Sequence, residues 1–224
     1  MFEMKRLVYA AIWLALFSTA GCGLDNYDEP SSRLTGKIVY QGQTLGLSHG
    51  KVVFNLYQEG YDKNGPISVY AAQDGTFSAL LFDGSYRLET VDNNGPWLNS
   101  ASAATFEMKG NTSVDVMVTP YYLLSDVAIA LNGHEIKAVC SVEMIAGEKE
   151  AQRLFLCVGP TAFVSDQSYS YVARKNLMPV NMGGNALSMD ISEQLEMYDT
   201  LYARLGLQIN GVQECIYSDV IKIK

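Results

Sequence analysis

Histidine is scarce in this chain, which has only His49 and His134 among its 224 residues. The step from His134 to Glu135 begins like the zinc-protease helix motif, but position 138, where a second histidine would be needed, is Ala138. Neither a phosphate-binding loop nor a nucleotide-binding glycine fingerprint occurs in the sequence. We therefore expect no metal, no cofactor and no enzymatic activity.

Basic residues are also few, since 16 Lys and Arg stand against 24 Asp and Glu, for a net charge of −8. Nucleic acid is bound by clustered Lys and Arg, so this balance argues against nucleic acid as a partner. Cysteine is sparse as well: Cys140, Cys157 and Cys215 lie in strand-like runs without C-x-x-C spacing, and no zinc site is expected. One disulfide with a free thiol and three buried thiols both remain open.

Long apolar runs are absent apart from residues 7–17, an 11-residue segment that is shorter than the roughly 20 residues that span a bilayer. Two basic residues precede this run, and the small residues 18–21 follow it, directly before Cys22. This order predicts a signal peptide over residues 1–21 and lipidation of Cys22, with several acyl chains that would anchor the protein stably. The competing interpretation is an ordinary secretory signal followed by an incidental cysteine.

Residues 22–31 form a short acidic tether with no helical or strand periodicity. The tether resembles the acidic export tag of Bacteroidetes lipoproteins that are displayed on the outer face of the outer membrane. This resemblance implies a lipid-anchored outer-membrane protein that faces the cell exterior. The alternative is a solvated linker on a lipoprotein that faces the periplasm.

Strand-forming residues dominate the rest of the chain, where short runs of Val, Ile, Thr and Tyr are separated by Gly, Asn and Asp turns. Thr119-Pro120 reads as a joint, because proline lacks a backbone donor and suits the boundary between two sheets. The sequence therefore predicts an all-β fold of two consecutive β-sandwich domains, residues 32–119 and 120–224. Within the first domain we expect a strand at 76–81. Within the second domain we expect strands at 135–144 and 161–165 and a long loop at 168–185.

The first domain carries three segments typical of one sandwich family, at residues 36–39 (GKIV), 74–77 (DGTF) and 84–88 (GSYRL). They stand where the carboxypeptidase-regulatory, transthyretin-like family has its first strand, a turn-strand and a G-x-Y-x-L strand. The first domain resembles that family over most of residues 33–91. Because the family mostly supplies non-catalytic modules, the resemblance implies a fold and no chemistry.

The second domain ends with a Thr-x-Tyr corner at 200–202, then Arg204, an Asn-Gly turn at 210–211 and Ser218. These features resemble a fibronectin type III sandwich. The upstream half has no clear tryptophan on its second or third strand, so the resemblance implies an immunoglobulin-like domain in general.

The order of signal, tether and two sandwiches resembles an uncharacterised two-domain family of Bacteroidetes surface lipoproteins. Members of that family occur beside starch-utilisation-type outer-membrane transporters and their glycan-binding lipoproteins. The resemblance implies the outer membrane as a partner through the anchor. It also makes a polysaccharide, or the transporter with its glycan-binding lipoprotein, an expected partner.

Loop aromatics are the candidate binding residues, because sugar rings stack on exposed aromatic faces while Asp and Asn bind hydroxyl groups. Trp97 follows a turn-rich loop, and the competing interpretation is a tryptophan that seals the sandwich interior. The candidate glycan-binding residues are Trp97, Tyr61, Tyr169, Tyr171, Asp92 and Asn94.

The predicted function is that of a non-catalytic surface lipoprotein, an accessory glycan-binding or scaffolding component of a polysaccharide capture and uptake system. The alternative is a pure protein-interaction or structural module without a sugar site. Exposed rings at the candidate positions would favour sugar binding, and buried rings would favour the structural module.

Overall fold

The computed structural model describes residues 28–99 and 104–224. The predicted signal peptide, Cys22 and residues 22–27 of the predicted tether lie outside the described residues. The chain divides into Met1–Pro30 and one compact unit, Ser31–Lys224, which contains all the strands described below. Within the described ranges no helix is long and apolar enough to cross a membrane.

The N-terminal half of this unit is a β-sandwich built from two sheets. Strand β1 pairs with β2 and β5 in antiparallel fashion and with β8 and β9 in parallel, while the second sheet has the order β4-β3-β6-β7. Alternation along the strands points residues such as Leu34, Phe54 and Leu88 into the space between the sheets, where none of them is exposed. The strands are β1 (Ser32–Tyr40), β2 (Gln43–Thr44), β3 (Val53–Gln58), β4 (Ile67–Tyr70), β5 (Thr76–Leu81), β6 (Gly84–Thr90), β7 (Ala104–Met108), β8 (Thr112–Ser113) and β9 (Val116–Met117), with a short 3₁₀ helix at Asp62–Asn64.

The C-terminal half is a second sandwich, whose sheets have the orders β10-β11-β14 and β13-β12-β15-β16, with β17 also paired to β15. Its core includes Ile136, Leu156 and Leu205, which are fully buried. The elements are β10 (Tyr122–Asn132), β11 (Glu135–Met144), β12 (Ala151–Gly159), β13 (Ala173–Leu177), β14 (Gly183–Asp190), α1 (Ser192–Met197), β15 (Tyr202–Ile209), β16 (Ile216–Tyr217) and β17 (Ile221–Lys222). The predicted all-β fold with two sandwiches is confirmed.

Two expectations for the second domain are wrong. The segment 161–165 is not a strand: it turns over the outer face of the β12–β15–β16 sheet, where Val164 packs on Phe155 and Tyr217. The region 168–185 is not one loop, because it contains β13 and the start of β14. Strand β13 has only exposed and half-buried residues, so it lacks the apolar alternation by which a strand is recognised in sequence.

The two sandwiches meet along a seam held by polar contacts from both sides. The buried Arg204 donates hydrogen bonds to the carbonyl oxygens of Leu47 (2.8 Å) and Gln73 (3.0 Å) in the first sandwich and of Ser218 (2.6 Å) in its own. The Tyr217 amide donates to the Gly46 carbonyl at 3.0 Å. The seam therefore fixes the N-terminal segment around residues 46–50 against the C-terminal sandwich.

The three cysteines of the folded region are free and buried. Of the two states left open by the sequence, the structure shows three buried thiols. Burial raises the pKa of Cys140 to about 11 and that of Cys157 to about 12, and it raises the pKa of Cys215 further. These thiols are therefore protonated and shielded at neutral pH, which makes them poor nucleophiles.

Candidate functional site

Trp97 is buried, with 2% of its surface exposed. Its ring stacks against Phe54 in the first core, with centroids 6.2 Å apart, and the Trp97 backbone bridges to Pro120 at the joint. A sugar has no access to either ring face, so the prediction of Trp97 as a stacking platform is wrong. The tryptophan seals the end of the first sandwich, which was the competing interpretation.

Asn94 is buried as well, and its side chain forms hydrogen bonds at the seam between the two sandwiches. Its side-chain oxygen accepts a hydrogen bond from the Val53 amide at 2.8 Å, and its side-chain nitrogen donates to Gln213 of the second sandwich at 3.1 Å. The prediction that Asn94 binds a sugar is therefore wrong, because both polar atoms are used inside the protein. Asp92, two residues earlier, is exposed.

The three candidate tyrosines differ in exposure and do not form one site. Tyr61 is 61% exposed and Tyr169 is 77% exposed, whereas Tyr171 is half-buried with the Arg174 guanidinium 4.8 Å from its ring centroid. Tyr61 follows β3 at one end of the first sandwich. Tyr169 lies at the seam, because the Lys51 ammonium is 5.7 Å from its ring centroid.

A groove of about 500 Å³ runs along the outer face of the β1–β5 sheet. Strand alternation places its floor, since the groove-lining residues that point away from the core on β1 and β5 are Thr35, Lys37, Thr76 and Ser78, which are polar or charged. Tyr70 and His49 stand in its wall, and Tyr70 is 55% exposed. The polar floor residues are Thr35, Lys37, Thr76, Ser78, Ser113 and Asp115.

The groove reaches the second sandwich through His49. The His49 ring lies against the ring of Phe163, with a centroid separation of 4.6 Å, and Phe163 is 54% exposed. Two residues further along the chain, Lys51 approaches Tyr169. Aromatic side chains of both sandwiches therefore line one side of the seam, beginning at the groove wall.

The turn that closes the groove wall is held by hydrogen bonds to the Asp74 side chain. Asp74 accepts hydrogen bonds from both the backbone amide (3.1 Å) and the hydroxyl (2.7 Å) of Thr76. The Thr76 hydroxyl is the main cause that lowers the pKa of Asp74, with a smaller effect from the nearby His49. On the floor, Asp115 accepts a hydrogen bond from the Lys37 amide at 3.1 Å. The groove thus offers a carboxylate, an ammonium group and hydroxyls within a preformed frame.

A sequence pattern typical of a catalytic serine occurs beside the groove. Residues 46–50 read Gly-Leu-Ser-His-Gly, which fits the G-x-S-x-G nucleophile elbow. That motif needs an exposed serine on a strand-to-helix turn, whereas here Ser48 is 1% exposed and the segment links two strands of an all-β domain. Gly46 lies too close to the Tyr217 carbonyl oxygen for a side chain to fit there. The pattern does not form a nucleophile site.

A second pocket lies on the outer face of the β3–β6–β7 sheet, but several of its polar groups already pair with one another. Arg87 forms an ion pair with Glu89 and covers the Tyr57 ring at 4.5 Å, and Ser85 donates to Glu107. Over the described ranges, no three His, Cys, Asp or Glu side chains are grouped so that they could hold a metal ion. The β1–β5 groove is therefore the better candidate site.

Two family models match the chain, one over residues 32–119 and the other over residues 122–222. The first is described as the N-terminal domain of a protein of unknown function, DUF3823, and the second as the DUF3823_C domain of unknown function. The chain belongs to the DUF3823 family. Neither model indicates a catalytic family, and no curated protein matches the chain.

Crystal structures of DUF3823 family proteins have the same fold. One from Parabacteroides merdae is 42% identical, with a TM-score of 0.82, and the match covers 88% of this chain and 100% of that chain. One from Bacteroides ovatus is 32% identical, with a TM-score of 0.78, and the match covers 86% and 98%. A Bacteroides uniformis protein described as a "putative carbohydrate binding protein" is 18% identical, with a TM-score of 0.72, over 88% and 100%, which shows the shared fold alone.

Sequence reasoning missed Tyr70, His49 and Phe163. Tyr70 belongs to an ordinary edge strand, and His49 and Phe163 are separated by more than a hundred residues of chain. The available signal was the outward position of Tyr70 in β4, next to the buried Val69. That signal predicts an exposed ring at Tyr70, but it does not predict which surface the ring faces.

Proposed function

We propose that this DUF3823 protein is a non-catalytic, lipid-anchored outer-membrane surface protein that binds a polysaccharide as an accessory component of a capture and uptake system. The β1–β5 groove would hold a segment of the glycan. The anchor would be the lipid on Cys22, for which the support is the signal-peptide pattern in the sequence.

The observation that carries the proposal is the composition of the groove. An exposed aromatic ring in the wall, Tyr70, stands beside a floor of hydroxyls with one carboxylate and one ammonium group. Aromatic faces stack on sugar rings, and such polar groups bond their hydroxyls. A groove open at the surface suits a polymer, because a polymer must enter without threading its ends.

The test is affinity electrophoresis of the soluble chain from residue 25 onward against plant and host polysaccharides. A Bacteroides uniformis protein with this fold is described as a "putative carbohydrate binding protein", which makes polysaccharides the first ligands to test. We expect one polymer to retard the protein and Tyr70→Ala to weaken that retardation by at least about tenfold in apparent Kd, roughly 1.4 kcal/mol.

Tyr61→Ala is the matched control, since Tyr61 has similar exposure but lies at the other end of β4. Loss of retardation in Tyr61→Ala and not in Tyr70→Ala would move the site away from the groove. If no polymer retards the wild-type protein, glycan binding is wrong and the protein-interaction module becomes the better interpretation.

A further inference from the structure

The chain enters the first sandwich at the end opposite the seam, where four segments meet. The Ser32 hydroxyl donates to the Asp83 carboxylate, which also accepts the Gly110 amide at 3.0 Å, and the Glu59 amide donates to the Ser85 carbonyl at 3.0 Å. We call this surface the tether end, formed by Ser32, Arg33 and residues 59–63, 80–85 and 107–110.

The tether end exposes apolar side chains within a few residues of the chain entry. Leu80 is 58% exposed and pairs in register with Arg33, and Phe82 is 47% exposed directly before Asp83. Tyr61, which is 61% exposed, rises from the neighbouring turn after β3. The Phe82 backbone is held in place because its carbonyl accepts the Tyr86 hydroxyl at 3.0 Å.

Charges at the tether end are mixed. Its segments carry three basic and four acidic residues, so neither sign of charge dominates. Any surface that docks here is therefore bound through apolar contact and without attraction to one sign of charge. The bases are Arg33, Lys63 and Lys109, and the acids are Glu59, Asp62, Asp83 and Glu107.

We propose that the tether end rests on the lipid surface to which the chain is anchored, with Phe82 and Leu80 entering the headgroup region. This inference rests on the lipid anchor of the proposed function. The ten residues from Cys22 to Ser31 reach at most about 35 Å, so the bilayer is never far from this end of the sandwich.

The anchor also explains how so small an apolar surface can dock. Two or three side chains would bind a bilayer only weakly from free solution, as single short lipid chains also do. A short linker raises the effective concentration of the second contact, to the millimolar range in general, so a weak contact becomes populated.

The docked orientation turns the seam away from the lipid. Strand β1 runs from Ser32 at the tether end towards the seam, and the six residue-to-residue steps from Ser32 to Ile38 span about 20 Å. The seam aromatics Phe163 and Tyr169 therefore point away from the lipid when the tether end contacts it.

The experiment attaches the chain beginning at Cys22 to phosphatidylcholine vesicles that contain a maleimide lipid. Cys22 is the reactive thiol, because the cysteines of the sandwiches are buried with raised pKa values. Phe82→Trp reports on the tether end, and Phe163→Trp, with 54% exposure in the wild type, is the matched reporter at the seam. Trp97 contributes the same buried background to both.

We expect vesicles of brominated lipid to quench the fluorescence of Phe82→Trp at least threefold more than that of Phe163→Trp. Adding Leu80→Ser to Phe82→Trp should remove most of this quenching, and replacing part of the lipid by an anionic one should leave it unchanged. Equal quenching of both reporters, or none of either, would overturn the inference. Because the anchor is made chemically and no sugar is present, the result is independent of both signal processing and glycan binding.

Discussion

Arg204 shows how one side chain can hold two domains in place. Arg204 is 1% exposed, and its guanidinium lies 4.4 Å from the Tyr217 ring centroid and donates to three carbonyl oxygens. Burial lowers its pKa to about 10, so it remains charged at neutral pH. A buried charge needs full hydrogen bonding, and only the assembled seam provides it.

Glu214 is the residue whose protonation we expect to control seam stability near neutral pH. Its amide donates to the Asn94 carbonyl at 3.0 Å across the seam. Burial, with a smaller effect from Asp166, raises the pKa of its carboxyl to about 7, while Lys51 opposes the shift. The folded protein therefore binds this proton more tightly than the unfolded chain does.

The stabilisation by this proton is complete below the unfolded pKa, about 4.5, and is lost as pH rises to about 7. Glu214→Gln should remove this slope and make the protein more stable than wild type at pH 8, by about 1–3 kcal/mol. Urea unfolding of both proteins between pH 5 and 8 measures the difference.

Glu135→Gln is the control, because a hydrogen bond from Lys137 lowers the pKa of Glu135 and places its titration below that window. A wild-type free energy of unfolding that does not fall relative to Glu214→Gln between pH 5 and 8 would contradict the assignment.

At the scale of elements, the turn between β4 and β5 shapes the groove. Gly75 has φ +74° in this turn, and a Cβ atom placed on it would lie 2.3 Å from the Leu45 carbonyl oxygen. The turn thus requires glycine both for its backbone conformation and for the close approach of the segment after β2. Thr76, the next residue, belongs to the groove floor.

Gly75→Ala should lower the free energy of unfolding by at least about 3 kcal/mol, because it adds a steric clash to left-handed strain. Gly110→Ala is the matched control: Gly110 has φ +70°, but nothing lies within 4 Å of its Cβ position. It should cost only about 1–2 kcal/mol. Urea unfolding compares them, and equal losses would show that the approach to Leu45 is unimportant.

At the scale of the whole molecule, the two sandwiches behave as one folded unit. The seam joins backbone to backbone at Gly46 and Tyr217 and again where the Gln213 and Glu214 amides donate to the carbonyls of Asn93 and Asn94. Lys149 adds a hydrogen bond to Asn93 at 2.6 Å. Such a seam leaves little freedom for hinge motion, in contrast to domains joined by a linker alone.

We expect a single calorimetric unfolding transition for the wild-type protein. Gly46→Ala should split this transition into two or lower its Tm by several degrees, since the new Cβ would lie 2.3 Å from the Tyr217 carbonyl oxygen and 3.1 Å from Arg204 Nη2. Gly184→Ala, where nothing lies within 4 Å, should leave the transition unchanged. Two transitions in the wild type would contradict a cooperative seam.

Strand prediction succeeded where one face of a strand is buried. The predicted strands 76–81 and 135–144 coincide with β5 and β11, because alternation of apolar and polar residues reflects a two-faced sheet. It failed at 161–165, where apolar residues cover a neighbouring sheet without joining it, and at β13, an edge strand without alternation. Local pattern cannot separate an apolar strand from an apolar covering loop.

Prediction of the candidate site was less successful, and Trp97 shows the reason. A turn-rich loop with a tryptophan has the same local sequence whether the ring faces solvent or fills the end of a core. Here Gly95 leaves room for the ring, and Phe54 from β3 provides its packing surface. The partner that decided the outcome lies more than forty residues away in the sequence.

The sequence by itself determined the all-β class, the two sandwiches and the resemblance to an uncharacterised two-domain family, because strand period and turn residues are local properties. Only the tertiary structure decided which aromatics are exposed and which surfaces form a site. Tyr70, His49 and Phe163 come from separate parts of the chain, and the seam built around Arg204 brings the last two into contact. Such contacts depend on packing between distant segments, which no local pattern encodes.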